Sequence, residues 1–220
     1  MNLSKIFELA NASGGTLFLM ALLLLVALTV IIDRMAYLSR MQQGGEELMH
    51  MLRTGAVLNS PATQAVLRRC IKLPHVRLFE AALIEPRDAQ RESCAGHLEE
   101  AVMHEVPMLD RSLWMLDTVI TLAPLLGLFG TIIGMFSAFS ILGDAQNNTT
   151  QVTGGIAEAL LATASGLLVA MIGLVFFNWL NTKVRLIVHQ LETIKVMLLN
   201  RRFSGADLEL PSAHATLKVV

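Results

Sequence analysis

Three stretches of the chain run almost without charge. Thr16–Ile32 (TLFLMALLLLVALTVII) holds seventeen residues with none, and Thr118–Leu142 and Ile156–Leu180 hold 25 each, with Glu158 the single ionisable group. A bilayer core about 30 Å thick takes roughly 20 apolar helical residues. A soluble chain of 220 residues could hardly bury both longer segments. The pattern therefore predicts an all-α integral membrane protein with spans at 16–32, 118–142 and 156–180. The first reads as an uncleaved anchor and not a signal peptide. Its apolar run is long for that role, Asp33-Arg34 follows it directly, and no A-x-A site is present.

Between the first two spans, 33–117 reads as helices. Apolar residues recur near helical spacing at Leu48, Met51, Leu52 and Val57, then at Ala65, Val66 and Leu67. Breaks are predicted at Gly44-Gly45, Ser60-Pro61, Pro74 and Pro86. From Asp88 through Leu98, Val102, Leu109 and Leu113 the pattern enters the second span without a strong stop, which predicts one helix projecting out of the membrane. The segment 1–15 precedes the first span, 143–155 connects the other two, and 181–220 continues as a helix with a mobile tail from Phe203.

Composition agrees, with 54% hydrophobic, 16% charged and 5% aromatic residues. Basic residues set the orientation, because translocated loops are poor in them. The segment 33–117 carries ten, from Arg34 to Arg111, and the tail six, whereas the N-terminal segment has only Lys5 and the connector none. The N-terminus and connector thus face outward, and the long middle segment and tail are cytoplasmic. The middle segment has twelve acidic residues against its ten basic ones, a solvated helical surface and not a nucleic-acid face. Cys70 and Cys94 fall in a reducing compartment and read as thiols. His104-Glu105 lacks the second histidine of a zinc protease helix, since Met108 stands four residues on. No metal or cofactor site is predicted. The triplets in Asn147-Asn148-Thr149-Thr150 carry no functional weight. With no G-x-S-x-G and no paired aspartates in the spans, a hydrolase is not supported.

The second span places Gly127, Gly130, Gly134 and Ala138 at spacings of three and four, a face on which another helix can approach closely. Pro124 removes a backbone donor and predicts a kink unless neighbours compensate. The Thr131 hydroxyl either bonds back to its own helix or faces a polar lumen. In the third span, Glu158, Ala162, Ser165 and Val169 form one stripe, and Ala159, Thr163, Gly166 and Ala170 the next. Glu158 has two readings. It is an interfacial carboxylate near the outward connector, or an ion-handling group kept in the membrane despite a penalty of about 3 kcal/mol.

GLFGTIIGMFSAF followed by GGIAEALLATASGL closely resembles the ExbB/TolQ family of inner-membrane motor proteins, with MotA a more distant relative. The resemblance extends to the three spans, the large cytoplasmic loop and the short external one. It implies a ring-like homo-oligomer, typically a pentamer, whose second and third spans line a lumen holding the spans of an ExbD/TolR-like partner. An aspartate on the partner's single span is thought to carry the proton. The complex would use the proton motive force to move a TonB- or TolA-like protein that acts on the outer membrane. On this resemblance Thr131, Glu158 and Thr163 match coupling positions, and Pro124, Gly127, Gly130, Gly134, Gly155 and Gly166 match packing positions, Ala162 lying beside them. The chain departs from the family at Ile133, Gly154 and Ile172, where a tryptophan and two prolines are common; this implies a straighter third helix with a looser start. Glu158 and Thr163 stand about 140° apart on an ideal helix and cannot both point at one axis. A second class of function, a scaffold that assembles partners without ion flow, stands beside the motor.

Overall fold

A computed structural model describes residues 15–54, 73–84, 90–142 and 149–203. They form five helices: α1 (Thr16–Arg53), α2 (Pro74–Ile84), α3 (Arg91–Asp110), α4 (Leu113–Leu142) and α5 (Thr149–Phe203). Three helices are long and apolar enough to cross a membrane. The architecture is all-helical among the described residues, as the sequence pattern predicts. The breaks predicted at Ser60-Pro61 and Pro86, together with Cys70, the outward N-terminal segment and the distal tail, lie outside them.

The chain divides into two units, one of residues up to Arg34 with Ser112–Leu180, the other of Met35–Arg111 with the residues from Asn181 onward. In the first, the outer surface of the helices is apolar, with Leu25, Ile32, Leu125, Ile132, Phe136, Phe139, Leu160 and Val175 all exposed. That is the reverse of a water-soluble protein and suits a hydrocarbon solvent. Ala123, Ala138, Ala159, Ala162 and Val169 are buried instead. Larger residues, Leu113, Leu116 and Leu180 among them, are buried as well, but where small ones meet, close backbone contact can replace the hydrophobic effect as the driving force for association in lipid.

The second unit has an ordinary core. Leu38, Leu48, Leu78, Phe79, Leu98, Leu109, Ile187, Leu191, Ile194 and Leu198 are fully buried, and α2 packs on α3. Ion pairs tie its helices together, Arg77 to the buried Glu105 at 2.6 Å and Lys195 to Glu99, while Glu192 on the same helix as Lys195 also pairs with it at 2.5 Å. Burial pulls the Lys195 ammonium down, but Glu192 and Glu99 outweigh it and hold the group above its usual range. Arg91 donates to Asn200 at 3.0 Å, and Arg202 to the Ala82 carbonyl at 2.6 Å. Cys94 is buried and outside any disulfide, and His104 pairs on the exposed surface with Glu100 at 3.8 Å.

Two predicted features are corrected. Gly44-Gly45 does not break α1, which continues to Arg53. A side chain on Gly44 would run into Leu73, and one on Gly45 into Gln190 and His75. These glycines carry a helical penalty of about 1 kcal/mol each, and packing at close approach offsets it. The helix predicted to run from the cytoplasmic segment into the second span is interrupted. Arg111 is extended and Ser112 sits at φ 71°, separating α3 from α4. Such a conformation is uncommon outside glycine; here the Ser112 hydroxyl accepts from Nη2 of the buried Arg34 at 3.1 Å, and its carbonyl from the Met115 amide at 3.2 Å. Pro74 opens α2, the position where its missing donor matters least. α4 runs unbroken through Pro124. α5 begins at Thr149, seven residues before the apolar segment, so the second half of the stretch assigned to the connector is helical.

Candidate functional site

α4 and α5 pack antiparallel along a seam of small residues. A Cβ on Gly127 would lie 3.0 Å from both the Ala162 carbonyl oxygen and Thr163 Cα. From Gly134 it would meet Ala159 Cβ at 2.8 Å, from Gly155 Ala138 Cβ at 3.1 Å, and from Gly166 the Ala123 carbonyl oxygen at 2.5 Å. The backbones are in contact where these glycines stand, which is the physical reason for glycine at each. Gly130 serves two contacts at once, with Ala162 Cβ at 2.8 Å and Thr16 Oγ1 at 3.2 Å from its hypothetical Cβ, so α1 joins the pair at this level. Pro124 is half-buried beside the seam. Ala123 and Gly173, the latter set against Ile120 and Leu116, extend the seam beyond the residues singled out from sequence. Ala123 stands four residues before Gly127 and Gly173 seven after Gly166, so both keep the helical period that marks the seam.

The Thr163 hydroxyl donates across the seam to the Gly127 carbonyl at 2.9 Å. The Thr131 hydroxyl donates to Leu128 of its own helix at 2.6 Å, the back-bonding alternative of its two sequence readings. Ser165 likewise bonds back to Leu161 and Ala162 at 2.6 and 3.0 Å. Glu158 is half-buried, and its carboxylate makes no hydrogen bond or ion pair with another described residue. No metal-binding group of His, Cys, Asp or Glu occurs among the described residues.

Helical geometry resolves the angular conflict between Glu158 and Thr163. The seam residues Gly155, Ala159, Ala162 and Gly166 centre about 70° from each of the two, on opposite sides. On α4, Gly130 and Ser112, the residues that meet Thr16 and Arg34 of α1, lie on one side of the seam, and Thr131 lies on the other. In the antiparallel pair this puts Thr131 and Thr163 on one flank, and Glu158 on the flank α1 occupies. Gly134 faces Ala159, four residues beyond the level at which Gly130 faces Thr16, so Glu158 sits about 6 Å past the described start of α1.

The sequence match is extensive. Residues 71–193, more than half of the chain, match the MotA/TolQ/ExbB proton channel family. The chain belongs to that family. It is 35% identical to the ExbB-like 3 protein of Synechocystis sp. over 185 residues, covering 81% of this chain and 87% of that one. It is 27% identical to the biopolymer transport protein ExbB of Neisseria meningitidis serogroup B, over 93% of this chain and all of that one. It is 35% identical to the Tol-Pal system protein TolQ of Pseudomonas aeruginosa over 51% of this chain and 48% of that one. The family match takes in α4, the α4–α5 seam and both threonines. The relatives are transport and channel proteins, and the three long apolar helices of the ExbB/TolQ-like chain make it a membrane protein.

Proposed function

We propose that the chain is the housing subunit of a proton-motive-force-driven motor in the bacterial inner membrane. It would assemble as a homo-oligomer, a pentamer on the family resemblance. The flank carrying Thr131 and Thr163 would face a central lumen that holds the single span of an ExbD/TolR-like protein, and the complex would energise a TonB- or TolA-like protein for outer-membrane transport or envelope maintenance. The observation that carries this reading is the shared flank. Two hydroxyl residues from different helices, both in the segments resembling the family's coupling motifs, lie about one turn apart on the same flank of a close-packed helix pair, away from α1. Glu158, on the other flank, would respond to the partner's proton state from the edge of the lumen. The N-terminus and connector face the periplasm, and the polar helical unit and tail face the cytoplasm, where the basic residues gather.

The scaffold reading draws on a different observation: both threonine hydroxyls are already committed to backbone carbonyls, as a purely structural role would have them. Native mass spectrometry of the purified chain, alone and with its ExbD/TolR-like partner, separates these readings when combined with flux. The motor predicts about five copies taking up a minority of partner, and intact complexes that no longer perform work in Glu158→Ala. Normal energised uptake in that variant would remove Glu158 from the mechanism. A monomer or dimer indifferent to the partner would favour the scaffold.

A further inference from the structure

The Asp117 carboxylate makes no contact that holds the described helices together. Asp117 stands in the second turn of α4, exposed, and its carboxylate takes no hydrogen bond and no ion pair from the described residues. The neighbouring Thr121 hydroxyl bonds to the Asp117 and Thr118 carbonyls, not to the carboxylate. Among the described residues of its unit only Asp33, Asp117 and Glu158 are acidic. Asp33 has a cationic neighbour in Arg34, at 3.7 Å; Asp117 has none among the described residues.

Its level and direction along α4 can both be read from its neighbours. Arg34 meets Ser112, five residues before Asp117, and the exposed Trp114 marks the same end of the unit, an aromatic of the kind that sits at a headgroup layer. Asp117 is therefore about 7 Å along α4 from the Arg34 level, one turn past Trp114, on a helix that is otherwise free of charge. A carboxylate there stands at the start of the apolar stretch, where it can meet both the span and interfacial water. Asp117, Thr121, Leu128 and Thr131 recur at i, i+4, i+11 and i+14, within about 40° of one line along α4. That line runs on the flank of the α4–α5 pair that also carries Thr163, away from α1.

We propose that Asp117 is the proton-release residue of this flank. The inference rests on the motor reading above and deepens it. A carboxylic acid on the partner's span, facing Thr131 and Thr163, gives its proton to water on this flank, and the Asp117 carboxylate takes that proton up, leaving the partner group as carboxylate and Asp117 as the neutral acid. Asp117 then passes that proton to cytoplasmic water and returns to its anionic form. Some ten residues of apolar stripe separate Thr121 from Thr131, about 15 Å, too far for direct transfer, so water along the flank carries the proton across.

The test uses the full chain with its ExbD/TolR-like partner in proteoliposomes containing a pH-sensitive dye, under an imposed membrane potential, with flux expressed per assembled complex counted by native mass spectrometry. Asp117→Asn should lower flux by about tenfold or more, in the range lost when a positioned proton-transfer group is removed. Asp117→Glu should restore most of it with a displaced pH–rate profile, and Asp33→Asn should conduct within about twofold of the unaltered chain. Flux in Asp117→Asn within twofold of the unaltered chain overturns the proposal and leaves the motor standing. Fewer complexes with unchanged flux per complex also overturns it, by assigning Asp117 to the fold. No partner-dependent flux in the unaltered complex overturns the motor reading and this inference with it.

Discussion

Gly166→Ala and Gly154→Ala should have opposite effects on stability, although both add one methyl group to α5. At Gly166 the new Cβ would lie 2.5 Å from the Ala123 carbonyl oxygen and 3.2 Å from both the Ala123 carbonyl carbon and Gly127 Cα. All three are backbone atoms, so no side chain can rotate away, and restoring contacts near 3.5 Å requires the helices to part by several tenths of an ångström. Overpacking of this kind costs about 1–3 kcal/mol, and the absence of a flexible neighbour puts Gly166 toward the upper end. Alanine's higher helix propensity returns about 1 kcal/mol, leaving a net loss of about 1–2 kcal/mol. At Gly154 nothing lies within 4 Å of the hypothetical Cβ, so the propensity gain of up to about 1 kcal/mol stands alone. The separation widens further if parting the helices stretches the 2.9 Å Thr163–Gly127 bond. Denaturant titrations in one detergent, followed by far-ultraviolet circular dichroism and the fluorescence of Trp114 and Trp179, measure the difference. If Gly166→Ala proves as stable as Gly154→Ala, the seam is not in backbone contact and the close-packed α4–α5 pair is wrong.

Other substitutions probe separate links. His75 is fully buried in the polar helical unit, and burial, offset in part by the Gln190 side chain, lowers it to about 4 from an ordinary 6.5; its neutral form should contribute about 3 kcal/mol that is complete above pH 6.5 and lost as pH falls toward 4. His75→Leu should flatten that part of the stability–pH curve, and an unchanged slope would refute the assignment. Ser112→Ala keeps the left-handed residue but removes the hydroxyl that accepts from Arg34, so it should lower thermal stability by about 1 kcal/mol; Ser112→Gly loses the same bond but relieves the φ strain, and should be nearer neutral. Thr163→Val removes the donor to Gly127 and should cost about 1 kcal/mol, whereas Thr163→Ser retains it. Equal stability of the two would show that the cross-seam bond contributes nothing.

What was legible in the sequence followed from long-range regularity. Three spans are visible because 17 to 25 residues without a counter-charge have few folded solutions in water, and the seam because Gly127, Gly130 and Gly134 repeat at helical spacing. What was not legible depended on which neighbour fills a local space. Gly44-Gly45 looks like a helix break, and becomes a close-packing device once Leu73, His75 and Gln190 are placed against it. The interruption at Ser112 has no glycine or proline to announce it; its partner is Arg34, 78 positions earlier in the chain. The orientation of Thr163 was equally hidden, because a helical wheel gives the angle between Thr163 and Glu158 but not the position of the seam between them.

That seam position bears on how ions could pass. Glu158 is level with Gly134 and Asp117 stands seventeen residues lower on α4, a separation of about 26 Å along the axis, close to the hydrocarbon thickness of about 30 Å. On the proposed reading the two carboxylates, neither of them ion-paired among the described residues, would stand near opposite faces of the membrane, but on opposite flanks of one helix pair. A proton entering beside Glu158 has no route within this chain to the Thr131–Thr163–Asp117 flank, because the backbone-tight seam lies between and leaves no room for water. On the proposed motor reading, passage would require a second surface, either the next copy in a ring or the partner's span, to bring the two flanks onto one path. The chain alone should therefore leave proteoliposomes tight to protons, and a charge carried by the assembled complex would gain about 2.3 kcal/mol per 100 mV on crossing that distance. Leakage through the chain in the absence of any partner would mean that Glu158 and Asp117 communicate within a ring of this chain alone, and would limit the partner to converting flow into movement.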